Sequence, residues 1–355
     1  MSASTTSAPS RPPEGVDPPR ILRGSLYTNV ERKKLGPELL RTSRARGYAQ
    51  VVGNIAVLLV LLALAGSATS VWQGVLLFLG IGLAQHRLFF PTHDCIHYSL
   101  FPARGENRAC GVILSALLGT SFEAIRDQHM EHHREFGTEA DPGASDYYVR
   151  FRSRSRLLIF LLGPLAGSIL IVKIGDYLLR PARQAPPATP KASRGKAKFG
   201  GKLVRYGAIL GVQLAVCAVL TRGFALHELW RYPVFNVLPA VTIFLFLVRL
   251  RMFLEHGSLN YAVCDYFERK RPTARTIYGS WFERVFVCGS DFNFHHEHHL
   301  YPVVPGWQLP ALHRELLAAG LDPEDVRQTY AQALAEIWRN IPASSPRPGV
   351  ASVHD

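Results

Sequence analysis

Five stretches of the chain are strongly apolar: residues 51–68, 71–90, 157–172, 203–220 and 234–250. Within the first, residues 55–65 read IAVLLVLLALA without one polar position. A surface helix of a soluble protein shows a single apolar stripe, whereas a helix apolar all round is buried in a large core or in lipid. Most of these runs approach the roughly 20 residues needed to cross hydrocarbon. The pattern therefore predicts membrane-embedded helices. After Leu250 the chain turns polar, and residues 309–320 and 323–341 read as helices of a small cytosolic cap. Asp322 is placed to N-cap the second of these, with Pro323 at its first position.

Charge orients the runs. Residues 1–50 carry nine Lys or Arg against four acids, and residues 180–205 carry eight with no acid. Basic loops stay on the cytoplasmic side. Residues 66–70 (GSATS) are uncharged and read as an outer turn, so the second run returns to the cytoplasm near Arg87. If run three crossed, the basic segment after it would lie outside. Run three is also short and interrupted by Gly163-Pro164, so it reads as an interfacial or re-entrant hairpin. The expected fold is an all-α integral membrane protein with four transmembrane helices, a cytosolic helical head and both termini cytoplasmic. Residues 1–47 are expected as a disordered basic tail and 48–315 as the membrane domain, with a cytosolic linker at 180–203. Residues 316–355 complete the chain as a C-terminal cytosolic helix and tail.

Composition narrows the class. The 355 residues are 48% hydrophobic and 19% charged, with 19 Phe and 13 Tyr, which excludes disorder throughout. The net charge of +13 suits nucleic acid or an anionic bilayer face. Because the basic residues gather beside apolar runs, the positive-inside effect explains them and no nucleic-acid partner is expected. The five cysteines (Cys95, Cys110, Cys217, Cys264 and Cys288) are odd in number and form no CxxC, so they read as reduced packing thiols. No apolar segment follows Met1, so no signal peptide is expected.

The 14 histidines carry the chemistry. Eight fall in three clusters: His93 and His97; His129, His132 and His133; His295, His298 and His299. Helix positions three and four apart share a face, so each cluster projects its imidazoles together. An even number of expected spans separates every pair of clusters, which puts all three on one side of the membrane. Eight nitrogens exceed one tetrahedral zinc site, and no HExxH is present. Copper is less well matched because no Met or Cys accompanies the clusters. Two non-haem irons with O2 chemistry fit best. A metal transporter is disfavoured because the apolar runs hold almost no ionisable groups and the clusters lie beyond their ends.

The sequences HDCIH, HMEHH and HHEHH, the last within NFHHEHHLYP at 293–302, resemble the three histidine boxes of the membrane fatty acid desaturase superfamily. The stretch GTEADP at 137–142 is also similar, and the likeness covers about residues 50–315. It implies two irons, O2 and external electrons used to desaturate or hydroxylate lipids. The chain has no haem-binding HPGG, so the electrons are expected from a separate ferredoxin or cytochrome and its NAD(P)H reductase. Related enzymes place a further ligand between boxes two and three, which selects His256 as a ninth. It lies about 1.5 turns beyond run five, whereas Glu255 points about 100° away. Asp94, Asp127, Glu131, Asp291, Asn293 and Glu297 are candidates to accept the second N–H of the imidazoles. His86 is assigned to packing or support, and His296 points away from its cluster. His227, His313 and His354 read as loop or surface residues. The expected activity is acyl-lipid desaturation, with hydroxylation or ketolation of a carotenoid, sphingolipid or other hydrocarbon as the alternative.

Overall fold

The computed structural model describes residues 35–138, 140–149, 151–179, 199–257, 274–318 and 326–341. Residues 1–34 of the expected tail, most of the linker, Cys264, Asp322 and His354 lie outside them. The molecule is mostly helical. α1 (Arg44–Gly66) and α2 (Val71–Ile96) form a hairpin across the uncharged turn. Ser43 caps α1, and Ser70 forms a capping box with Gln73 on α2. α2 runs through Pro91 and ends at Ile96, so box one rides on the same helix as run two. Part of the expected tail is folded: Leu39 is buried with Phe90, Phe292, Val304 and Leu309.

Two further helices follow that the apolar runs do not announce, α3 (Arg104–Leu117) and α4 (Phe122–Glu135), bent 103° from one another. α3 buries Asn107, Cys110, Gly111 and Leu114 at helical spacing and is buried on all sides over its last turn, from Leu114 to Leu117. Gly111 lets the Phe122 ring lie directly on the helix backbone. α4 carries box two. After it come the single turn α5 (Ala144–Tyr147), then α6 (Arg154–Leu162) and α7 (Ser168–Leu179). α6 and α7 are separated by a 3-10 turn over Gly163–Ala166 and by Gly167 at φ 74°. Run three is thus two short helices with a break at Gly163-Pro164.

α8 (Phe199–Leu220) leads to two π-helical turns, Pro233–Val237 and Ala240–Phe244, and then to α9 (Leu245–His256). Three segments are long and apolar enough to cross a membrane: α1, α2 and Leu226–His256. A fourth is added if the bent α3–α4 pair counts as one span. The described apolar part of α8, Arg205–Leu220, is a shorter apolar helix, and the bent α3–α4 pair is a candidate that the expectation did not contain. A buried polar network joins the helices. Gln213 on α8 donates to the Ala116 and Leu117 carbonyls at the end of α3, and accepts from Tyr232 and Asn236. Gln85 on α2 donates to Asn236. Helix-end carbonyls removed from water need such partners.

The polar half contains β1 (Thr276–Ile277), α10 (Trp281–Phe286), α11 (His295–Leu300), α12 (Leu309–Ala318), β2 (Val326–Arg327) and α13 (Tyr330–Asn340). β1 and β2 pair in parallel, Thr276 with Val326 and Ile277 with Arg327, a small departure from an all-α fold. That pairing keeps 326–327 extended. The expected helix over 323–341 therefore begins only at Tyr330, capped by Thr329.

Candidate metal centre

Box one reaches the centre from the end of α2, box two from α4, box three from α11, and His256 from the last position of α9. Nine imidazoles meet there in two groups. The first comprises His93, His97, His129, His133 and His298, and the second His132, His256 and His299. His295 adjoins the second, its Nε2 lying 3.0 Å from that of His256 and 3.2 Å from that of His299. α4 and α11 each divide their histidines between the groups, whereas His93 and His97 of box one both join the first. On α4, His129 and His133 stand one turn apart in the first group while His132 turns to the second. On α11, His295 and His299 share the second group while His298 joins the first.

The spacing tests whether cations fit. In the first group Nε2 atoms of His97 and His129 are 2.9 Å apart, of His129 and His133 3.0 Å, and of His133 and His298 3.1 Å. In the second, His132 and His256 are 3.2 Å apart and His256 and His299 3.1 Å. At metal–nitrogen distances of about 2.1 Å, ligands at right angles sit about 3.0 Å apart, and tetrahedral ones about 3.4 Å. The observed edges are those of imidazoles that could share a cation in each group.

Hydrogen bonding gives the same answer. Nδ1 of His132 lies against Asp141 at 2.9 and 3.0 Å, and Nδ1 of His256 lies 3.1 Å from the Met252 carbonyl. With their protons held on Nδ1, both rings turn bare Nε2 lone pairs toward each other. That contact is repulsive without a cation between them. Burial also holds the imidazoles of His295, His298 and His299 well below the ordinary value, and His97 at about 3. Neutral imidazole is the form that ligates. Aromatic rings wall the groups: Phe292 stands 4.5 Å from the His93 ring, and Phe136 4.6 Å from that of His299.

The model of the family described as fatty acid desaturase matches residues 70–331. The chain belongs to this family. A β-carotene ketolase of Paracoccus sp. (strain N81106 / MBIC 01143) is 29% identical over 241 residues, covering 66% of this chain and 76% of the ketolase. A second β-carotene ketolase, from Paracoccus sp. (strain PC1), is 26% identical over 66% of this chain and 77% of its own. A fatty acid desaturase of Bacillus subtilis (strain 168) is 22% identical over 71% of each chain.

In this desaturase-family site several supporting residues differ from expectation. Asp94 accepts from Ser99 and from the Gly306 N–H, which fastens the loop after box three to α2 and reaches no imidazole. Asn293 donates to the Ile277 and Tyr278 carbonyls beside β1. Asp291 pairs with Arg284 and Glu131 with Arg134, at the surface where charge is cheaply solvated. Asp127 is exposed. Glu297 accepts from Thr276 and His313 and serves the far side of α11. His313, read as a surface residue, is buried in that contact, because α12 packs on box three. His86 is buried against Phe90 and Phe244. His296 belongs to neither group, and His227 is exposed beside Glu228. The carboxylates that stand behind imidazoles are Asp141, inside the GTEADP stretch, and Glu255. Tyr147 donates its hydroxyl to Asp141, as does the Gly143 N–H at 2.7 Å.

Proposed function

We propose that the chain is an O2-dependent di-iron oxidoreductase of the membrane that oxidises C–H bonds of a hydrophobic lipid, with a carotenoid as the leading substrate and a ketone or alcohol as product. One observation carries the chemistry: nine imidazoles converge as two groups with cation-like spacing. The substrate class is supported by likeness to the two β-carotene ketolases, each of which is matched over about three quarters of its length. Acyl-chain desaturation is the second reading, supported by the Bacillus desaturase and by the family itself.

His93, His97, His129, His133 and His298 would hold one iron, and His132, His256, His295 and His299 the other. Bound iron supplies O2 reduction and C–H oxidation, with electrons from a separate ferredoxin or cytochrome and its reductase. The protein's part is positional and electrostatic. Asp141 keeps the His132 proton on Nδ1 and so keeps Nε2 free to ligate. Phe136, Phe292 and Tyr147 exclude water from the rings, which protects reactive species from side reactions. The helix ends that carry the boxes are placed at the cytoplasmic membrane face, with four spans and both termini inside, and a lipid reaches the centre from the bilayer.

The test is expression in a host that makes both carotenoids and acyl lipids and has a compatible reductase, followed by mass spectrometry of the pigments and the acyl chains. Oxygenated carotenoid supports the leading reading. Loss of two hydrogens from acyl chains moves the assignment to the second. Neither product, from iron-loaded protein with verified electron supply, overturns both.

A further inference from the structure

Glu255 lies outside both imidazole groups, yet it is only 1% exposed. Arg251, one turn earlier on α9, holds it in a fork, Nε to Oε1 at 2.7 Å and Nη2 to Oε2 at 2.9 Å. Tyr330, the first residue of α13, donates its hydroxyl to Oε1 at 2.6 Å. Arg251 is itself fixed: it donates to the Phe292 carbonyl and lies over the Phe90 ring. Oε1 therefore receives two donors and Oε2 one. Oε2 keeps an acceptor position, and Nδ1 of His295 lies 3.5 Å from it. That nitrogen is buried and has no hydrogen-bond partner.

The chemistry of the second group makes this proximity meaningful. When Nε2 of a neutral imidazole ligates, its proton resides on Nδ1 and needs an acceptor. His132 has Asp141 and His256 has the Met252 carbonyl. For His295, Glu255 stands in the same place. In the first group the buried Nδ1 atoms of His93 and His298 likewise have no hydrogen-bond partner, but among the described residues the carboxylate contact belongs to His295, through Glu255.

We propose that Glu255 is a positioning residue for His295, held in place by Arg251 and Tyr330, so that the C-terminal helix α13 supports the second metal position and not the first. This rests on the two-metal reading above. α13 closes the chain's route back to the site. β2 pairs with β1 immediately before it, and Ile337 and Ala333 bury its inner face beside Phe253 and Leu254 of α9. The Tyr330 hydroxyl is thereby delivered to a carboxylate one residue from His256.

The experiment titrates purified full-length apoprotein in detergent with Fe(II) under anaerobic chelator competition, reading two affinities, and repeats it with Co(II) for its ligand-field spectrum. Glu255→Gln is expected to weaken one of the two sites about 10- to 100-fold and leave the other unchanged. Tyr330→Phe keeps the Arg251–Glu255 pair and is expected to weaken the same site by up to about tenfold. It also serves if Glu255→Gln fails to fold. In both variants the Co(II) spectrum of the affected site alone should shift. A purely structural role for Glu255 gives a lower melting temperature with both affinities unchanged or equally reduced, and either result overturns the proposal. Wild-type protein that takes up fewer than two metals overturns this proposal together with the two-metal reading. Wild-type protein with two metals whose affinities are indifferent to both substitutions overturns this proposal alone.

Discussion

Asp141→Asn isolates the electrostatic support of the second group. Asp141 is 4% exposed and receives four contacts. Oδ1 accepts the Gly143 N–H at 2.7 Å and faces His132 Nδ1 at 3.0 Å, while Oδ2 faces His132 Nδ1 at 2.9 Å and accepts the Tyr147 hydroxyl. The amide must keep its oxygen at Oδ1, because Gly143 offers only a donor there. The new NH2 then falls at Oδ2, where Tyr147 must rotate its hydroxyl to accept. His132 keeps one neutral acceptor in place of a carboxylate. Shape is preserved and charge is lost, so the expected cost is about 10- to 100-fold in metal affinity, or about 1.4–2.7 kcal/mol, at the second group only. Asp141→Ala is the harsher control, since it strands a buried N–H and a buried O–H at about 1–3 kcal/mol each. Chelator competition measures the affinities, and thermal unfolding of the apoprotein separates folding from binding. Unchanged affinities in a folded Asp141→Asn protein, or an equal loss at both sites, would refute the argument.

Three further outcomes are expected. Gly82→Ala should lower apoprotein stability by about 1–3 kcal/mol in a detergent unfolding assay, because a Cβ there would meet the Ile243 Cβ at 2.5 Å and overpack α2 against the π-helical turn; an unchanged melting temperature contradicts that contact. His295, His298 and His299 have folded values depressed below the ordinary 6.5, so the stability they contribute is complete above that value and is lost as pH falls below it. The apoprotein's melting temperature should therefore be flat above about pH 6.5 and fall on acidification, and a rise on acidification would contradict the burial of neutral rings. Cysteine introduced as Ala188→Cys should resist membrane-impermeant reagents in intact cells, since a segment with eight basic residues and no acid is expected on the cytoplasmic side; labelling from outside would mean that run three spans the membrane.

The converging histidines of the three boxes were legible because their spacing is itself helical geometry. His129, His132 and His133 come close together only on a helix, whereas His256 was selected by the family resemblance and by its place just beyond run five. Their supports were not legible, because each depends on a neighbour distant in sequence. Glu255 points away from His256 on its own helix, but the imidazole it faces is His295, 40 positions later on α11. Asp141 sat in a stretch noted for family likeness, and only the turn Ala144–Tyr147 shows that it receives both His132 and Tyr147. Asp94 was an attractive candidate by adjacency to His93, yet helix rotation turns it to Ser99 and Gly306. The α3–α4 pair was missed for a different reason. Its apolar stretch on α3 is short, and the break at Gly119, with φ 71°, separates it from the polar box-two helix α4, so no continuous apolar run announces the pair.

The most direct test of the two-group account is metal stoichiometry in wild-type, His93→Ala and His256→Ala proteins, purified under identical conditions and analysed for all transition metals by mass spectrometry. His93 lies only in the first group and His256 only in the second. The account predicts about two irons per chain in the wild type and about one in each variant, with the residual iron differing spectroscopically between the two. A wild type that carries one metal, or zinc in place of iron, or a folded His256→Ala protein that retains both irons, would contradict it.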